Sequence, residues 1–517
     1  MFDVLSGFST DLFALSILVP WLLGMVFGIF VGSTPGLTAT MAVALIVPLS
    51  FQLQNETAGL AMIIGVSFTA IFAGDIPATY LRIPGTPAST AATLDAYALA
   101  QQGRAEEALQ TNLICSVCGG LIGVTALMML GPQLAKLALR FDDYEYFWLM
   151  LLGLIFCIVV SQGSLWRASL SAILGVMFAT VGLDQVGNTP RFTFPDVTWL
   201  SGLTGGLNFI PAMIGLFGLS EALRWKGASD GATDRLASIR RTSALPAALR
   251  NVGRHGLTLI GSAGVGTLVG ALPGAGADIA AWAAYGIRQR FAASDSPFGQ
   301  GAVAGVVAPT SANNAAVAGA WIPALVFGLP GDSVTAIVIG AFTVYNIVPG
   351  HEAFADESSG VPALLRIALV TQLLLIPAGW IGIRCFGLVM KLPRTVIRCG
   401  VIVFAFVGAY AVSNSVFDVW VMIAFGGLGL FLDWQRIPST PLILGMILGA
   451  NIEGYLRKGL IASQGDLSPF FTRSDSMVLA SLLGIVLLSR VGGAILLRWH
   501  GSRSSQEDDQ HVTNSAS

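Results

Sequence analysis

The sequence predicts an all-α polytopic membrane protein made of two inverted structural repeats, and three observations predict it. Of its 517 residues, 54% are hydrophobic and only 11% are charged, whereas a soluble chain carries about 25% charged residues. Apolar stretches recur along the whole length. At about 20 residues per span they leave room for about ten to twelve crossings, besides broken or re-entrant pieces. The chain also repeats itself. Ile76-Pro-Ala…Pro84-Gly85 returns as Ile322-Pro-Ala…Pro330-Gly331, and Gly28-Ile-Phe-Val-Gly-Ser-Thr-Pro-Gly36 returns as Gly266-Thr-Leu-Val-Gly-Ala-Leu-Pro-Gly274. The two offsets, Pro84 to Pro330 and Pro35 to Pro273, are 246 and 238 residues. Each half therefore carries an early and a late Pro-Gly break. A lipid-facing helix cannot carry such a break without leaving backbone groups unpaired, so each must lie in protein or line a wet cavity.

In chain order, the first span runs from Leu12 to Gly32, with Gly24, Gly28, Gly32 and Gly36 on a four-residue period that lets another helix approach closely. It is preceded by a segment with two aspartates and no basic residue, unlike a cleaved signal peptide. A second apolar segment starts at Leu37 and ends at Pro48 and Gln52–Glu56. The broken segment fills 59–103, and spans follow at 108–131, 146–161, 168–186 and 207–223. Lys136–Glu145 reads as an amphipathic stretch at the membrane surface, and Asn188–Trp199 as an exposed connection. Arg224–His255 holds seven Lys or Arg against two Asp and is cytoplasmic by the positive-inside rule. The second half then starts inside, while the first starts from a terminus without basic residues, which inverts one half against the other. Later spans at 364–383, 401–413, 417–432, 440–451 and 477–497 read as scaffold. The organisation is a first repeat at 1–223, a cytoplasmic basic linker at 224–255, a second repeat with scaffold helices at 256–499, and a disordered tail at 500–517.

Paired interrupted segments in corresponding places point to the binding site of a secondary transporter. Half-helix N-termini offer free N–H groups and a positive dipole end to an anion. After each break the chain supplies hydroxyls: Thr38 and Thr40 beyond Pro35-Gly36; Thr86, Ser89 and Thr90 beyond Gly85; Ser333 and Thr335 beyond Gly331. N-capping wants the same residue types, so any single hydroxyl is as well explained as a cap. Asn313 and Asn314 are amides between alanines that must find partners, in a site or between helices. Arg82, Asp75, Asp278 and Asp332 are charges inside broken segments, where charge is functional by default. Arg82 is expected either to grip a substrate carboxylate or to pair with Asp75. The three aspartates are candidates for a coupling ion, Na⁺ or H⁺.

The rival reading is a membrane scaffold or membrane enzyme whose breaks serve packing only. The four histidines lie in loops or the tail, and neither a phosphate-binding loop nor an H-E-x-x-H motif is present. The five cysteines read as packing residues, and a net charge of −2 does not suggest nucleic acid. No catalytic group, cofactor or metal site is expected.

Four ordered motifs resemble the large membrane subunit of the tripartite tricarboxylate transporters, the TctA-like family. They are Gly32-x-x-Pro-Gly-Leu-Thr38; Pro84-Gly-Thr-Pro-Ala-Ser-Thr-Ala-Ala-Thr-Leu-Asp95 running into Ala105-Glu-Glu-Ala-Leu109; Pro273-Gly-Ala-Gly-Ala277; and Ser311-Ala-Asn-Asn-Ala-Ala316 followed by Ile322-Pro-Ala and Leu329-Pro-Gly331. The resemblance implies a multi-pass protein of the bacterial inner membrane that takes up a di- or tricarboxylate. It also implies a small membrane-subunit partner and a periplasmic solute-binding protein that delivers the substrate. Arg82, Asp278 and Asp332 depart from the small, amide or uncharged residues usual in the family at those places.

Overall fold

A computed structural model of the chain describes residues 10–488 except 54, 162, 185, 195, 198–200, 225–243, 293–297, 346, 351–352 and 355–359. Most of the basic linker, the tail and three of the histidines lie outside the described residues.

Apolar stretches become helices and the Pro-Gly pairs interrupt them. A 3-10 turn at Thr10–Phe13 leads into α1 (Leu15–Ser33), and α2 (Ala39–Ser50) follows the first break. Helices α3 (Glu56–Ala73) and α4 (Asp75–Leu81) form one nearly continuous span; beyond Gly85 a 3-10 turn at Pro87–Ser89 starts α5 (Thr90–Gln101). Then come α6 (Ala105–Ala138), α7 (Asp143–Val160) and α8 (Leu165–Ala179). A π-helical stretch, Ile214–Leu219, joins α9 (Phe209–Met213) to α10 (Ser220–Arg224). The second half holds α11 (Leu245–Arg254), α12 (Gly256–Gly270), α13 (Gly276–Arg290), α14 (Val303–Phe327) and α15 (Ser333–Val344). It closes with α16 (Val361–Val389), α17 (Arg394–Ser413), α18 (Val416–Trp434), α19 (Thr440–Ala462), α20 (Pro469–Thr472) and α21 (Ser474–Leu488). Among the described residues, 7 helices are long and apolar enough to cross a membrane. Shorter apolar helices are α2, α8, α12, α15 and α21.

Helix directions follow from which residues meet. Gly24, Gly28 and Gly32 of α1 lie against Met62, Val66 and Ala70 of α3, so the two helices run parallel. Gly266 and Gly270 of α12 lie against Ala312 and Ala316 of α14, again a parallel pair. The two crossings correspond residue for residue at the offsets of the sequence motifs. A methyl group at Gly28 or Gly266 would collide with the facing helix. Trp21 bonds Thr371 and Ile29 meets Gly382, so α16 runs with α1. Gly120 meets Gln372 and Leu113 meets Gly379, so α6 runs against α16; Gly119 and Gly123 meet Ser311 and Ala315, so α14 runs with α6. The pair α12–α14 thus points opposite to α1–α3.

Three local expectations change. Lys136–Glu145 is divided between two helices and the turn that joins them. Helix α6 continues through Lys136 to Ala138, and α7 begins at Asp143 under a capping box of Asp142 and Glu145. Glu145 is 1% exposed, holds the Asp142 N–H at 2.9 Å and accepts from the Ser476 hydroxyl, which fixes the helix start. The end of the 168–186 stretch leaves the helix for a two-residue hairpin, Gly182–Leu183 with Pro190–Arg191. Asp184 anchors this hairpin to Arg457 of α19 at 2.6 Å. Finally, α19 begins at the central cavity and is more than scaffold.

Candidate functional site

Four helices, α2, α13, α15 and α19, start around one cavity. Gly85 packs on the carbonyl of Gly32 at the end of α1, and Gly331 packs on the carbonyl of Gly270 at the end of α12. Each late break is thereby folded back onto the helix that precedes the early break of its own half. Gly85 N–H donates to the Gly74 carbonyl at 2.9 Å, and Gly274 N–H donates to the Gly331 carbonyl at 2.7 Å. Gly36 and Gly274 both take positive φ, 93° and 81°, which a side chain would strain. These turns direct the first turns of α2, α13 and α15, and the 3-10 turn ahead of α5, at a space of about 500 Å³, within the range of small-molecule sites.

The walls carry Thr38 and Thr40 of the α2 start, Thr86, Asp278, Asp332 and Ser333. The two halves contribute differently. At its Pro-Gly breaks the first gives hydroxyls only. In the second, Asp278 lies in the first turn of α13, and Asp332 caps α15, accepting from the Thr335 N–H and hydroxyl, each at 2.8 Å. The break residues of the first half are thus uncharged hydroxyls while those of the second carry two carboxylates. Arg224, Glu221 and Asp433 also line the space, and Arg224 bonds Glu221 at 2.7 Å and Asp433 at 2.5 Å. The cavity therefore reaches the start of the basic linker.

Several expected site residues sit elsewhere. Ser89 is buried behind the wall, its hydroxyl 2.9 Å from that of Thr86. Thr90 donates to the Pro87 carbonyl and Thr335 completes the cap with Asp332, so both serve helix starts. Thr38 lines the cavity and also caps α2, accepting from Met41 N–H at 3.2 Å. Pro35, Gly36, Gly85 and Gly331 shape the turns without lining the space. Asn313 and Asn314 are fully buried between helices; Asn314 donates to the Ser116 carbonyl at 3.0 Å. Arg82 neither lines the cavity nor pairs with Asp75. It ends α4 in a left-handed conformation, is exposed, and stands 5.6 Å over the Tyr97 ring. Asp75 is wholly buried and neither of its oxygens finds a partner. Residues overlooked in the sequence are Ser439 and Thr440. Thr440 lies 3.2 Å from Ser333, and the Ser-Thr-Pro start of α19 was the signal for a helix N-terminus there. Among the described residues, no group of three or more His, Cys, Asp or Glu is placed to hold a metal ion.

Paired broken helices around a polar, solute-sized space, inside a bundle of long apolar helices, define a multi-pass membrane protein of transporter type. Residues 18–444 match the tripartite tricarboxylate transporter TctA family, and the chain belongs to it. It is 32% identical over 492 residues to an "Uncharacterized 52.8 kDa protein in TAR-I ttuC' 3'region" of Agrobacterium vitis, covering 94% of this chain and 95% of that protein. An "Uncharacterized protein in TAR-II ttuC' 3'region" of the same organism is 34% identical over 223 residues, 43% of this chain and 91% of that protein. No solved structure matches.

Proposed function

We propose that the chain is the transporting membrane subunit of a carboxylate importer in the bacterial inner membrane. It would work with a small membrane subunit and a periplasmic binding protein that hands over the solute. The observation that carries this reading is the convergence of four helix N-termini on one cavity. Unpaired N–H groups and the positive dipole ends favour an anion there, and Thr40, Thr86, Ser333 and Thr440 add hydroxyl donors. Opposed helix pairs with matching Gly crossings support two inverted repeats, an architecture suited to alternating access around a fixed site.

Asp278 and Asp332 orient the solute. Their charge disfavours a carboxylate on the second-half side, so the solute's carboxylates lie toward Thr40 and Thr86. Hydroxyl groups of a hydroxy-acid can donate to the aspartates. An Na⁺ or H⁺ gradient drives the cycle. The test is uptake of labelled di- and tricarboxylates by vesicles holding the complex and its binding protein, with and without an imposed gradient. Accumulation that needs both the gradient and the binding protein is the expected result; equal uptake without either contradicts the reading.

A further inference from the structure

A second polar cluster lies behind the cavity wall. Asp75 opens α4, Ser89 ends the 3-10 turn before α5, Asn112 sits on α6 and Asn313 on α14, and all four are 0% exposed. The side chains of Asn112, Ser89 and Asn313 face the Asp75 carboxyl. Yet neither carboxyl oxygen of Asp75, nor either polar side-chain atom of Asn112 or Asn313, completes an internal hydrogen bond. Six polar atoms are orphaned in one spot, where native interiors leave few. A buried carboxylate needs a compensating charge, and Arg82 faces Tyr97 instead.

We propose that this cluster binds the coupling cation and that the cation is Na⁺. Asp75 supplies the one negative charge; the amide oxygens of Asn112 and Asn313 and the Ser89 hydroxyl are the neutral ligands. An all-oxygen set suits a hard cation. A single carboxylate balances a monovalent ion and leaves a divalent one with excess charge in an apolar surrounding. The assignment rests on the reading of the chain as a gradient-driven transporter and gives that reading an ion site apart from the Asp278–Asp332 side of the cavity. Its link to the solute is short. Ser89 hydrogen-bonds Thr86 at 2.9 Å, and Thr86 lines the cavity. The cation also ties α4, which extends α3, to α14, which runs the opposite way. A solute that engages Thr86 and a cation that engages Ser89 therefore bias the same contact, and by linkage each strengthens the other's binding.

The test reads cation binding without transport: thermal unfolding of the purified full chain in detergent, titrated with NaCl against choline chloride at constant ionic strength, with no carboxylate present. Wild type is expected to show a saturable stabilisation specific to Na⁺. Asp75→Asn and Asn313→Ala should raise the half-saturating Na⁺ concentration about tenfold or more, as loss of a ligand charge or ligand does. Asn112→Ala and Ser89→Ala keep the carboxylate and should weaken the response severalfold; they serve if Asp75→Asn does not fold. Unaltered Na⁺ responses in these two, no Na⁺-specific response in wild type, or a loss confined to Asp278→Asn overturns the proposal. Stabilisation by acid instead of Na⁺, lost in Asp75→Asn, also overturns it and makes Asp75 a proton site. A chain that binds Na⁺ here yet accumulates no carboxylate contradicts the transport reading and leaves the site standing.

Discussion

Hydroxyls after the Pro-Gly breaks divide by what they touch. Thr86 and Ser333 face the cavity, whereas Thr335 is held by Asp332. Thr86→Ala and Ser333→Ala should each weaken solute binding by about 1.5–3 kcal/mol, the worth of a hydrogen bond to a charged group. Direct titration of the detergent-purified chain with labelled carboxylate checks this. Thr335→Ala should leave affinity in place and lower stability by about 1 kcal/mol, the cost of a lost cap, read as an earlier melting transition. Sequence alone left these roles open because capping and anion binding demand the same chemistry at the same position. Arg82 lies away from the cavity. Its neighbours are apolar in sequence, so it reads as intramembrane, but the left-handed end of α4 turns it outward to Tyr97. Thr440 went unread because the apolar segment it opens is continuous, with no Pro-Gly break to mark it.

At the scale of elements, the close crossings hold the broken helices in register. Gly28 lies on Val66 and Thr69, and Gly266 on Ala312. Gly28→Val and Gly266→Val should each destabilise the fold by about 1–3 kcal/mol, the usual penalty of overpacking. Gly261→Val, with open space around it, should not; melting of the three variants side by side separates the cases. The four-residue glycine period made the close face legible. Its partner helix was not, because α3 carries no matching small-residue pattern: Met62, Val66 and Ala70 present their backbone, not their side chains, to the glycines. The Pro-Gly breaks were legible for the same physical reason that they exist. Only a chain shielded from lipid tolerates them.

For the whole molecule, α6 fixes the two faces. It spans 34 residues, about 51 Å at 1.5 Å per residue. Gln101 lies just before its start, while α7 begins beside its end and brings Tyr144 to Gly459 of α19. Gln101 and the exposed Leu467 therefore lie on opposite faces. Asn251, within the basic linker, bonds Glu107 at 2.8 Å, so the cytoplasmic side proposed for the linker from the positive-inside rule is proposed for the Gln101 face too. A membrane-impermeant thiol reagent applied to intact spheroplasts should label Leu467→Cys and spare Gln101→Cys; the reverse pattern inverts the topology. The measurement that bears most directly on the central claim is uptake of a labelled tricarboxylate and dicarboxylate panel by proteoliposomes holding the complete complex. Wild-type chain is compared with Ser333→Trp, which fills the cavity while leaving the Asp75 cluster intact. The account predicts gradient-dependent accumulation of at least one carboxylate by wild type and its loss in Ser333→Trp, with Na⁺ stabilisation retained in both. Undiminished accumulation by Ser333→Trp, or no accumulation of any carboxylate by wild type, would contradict it.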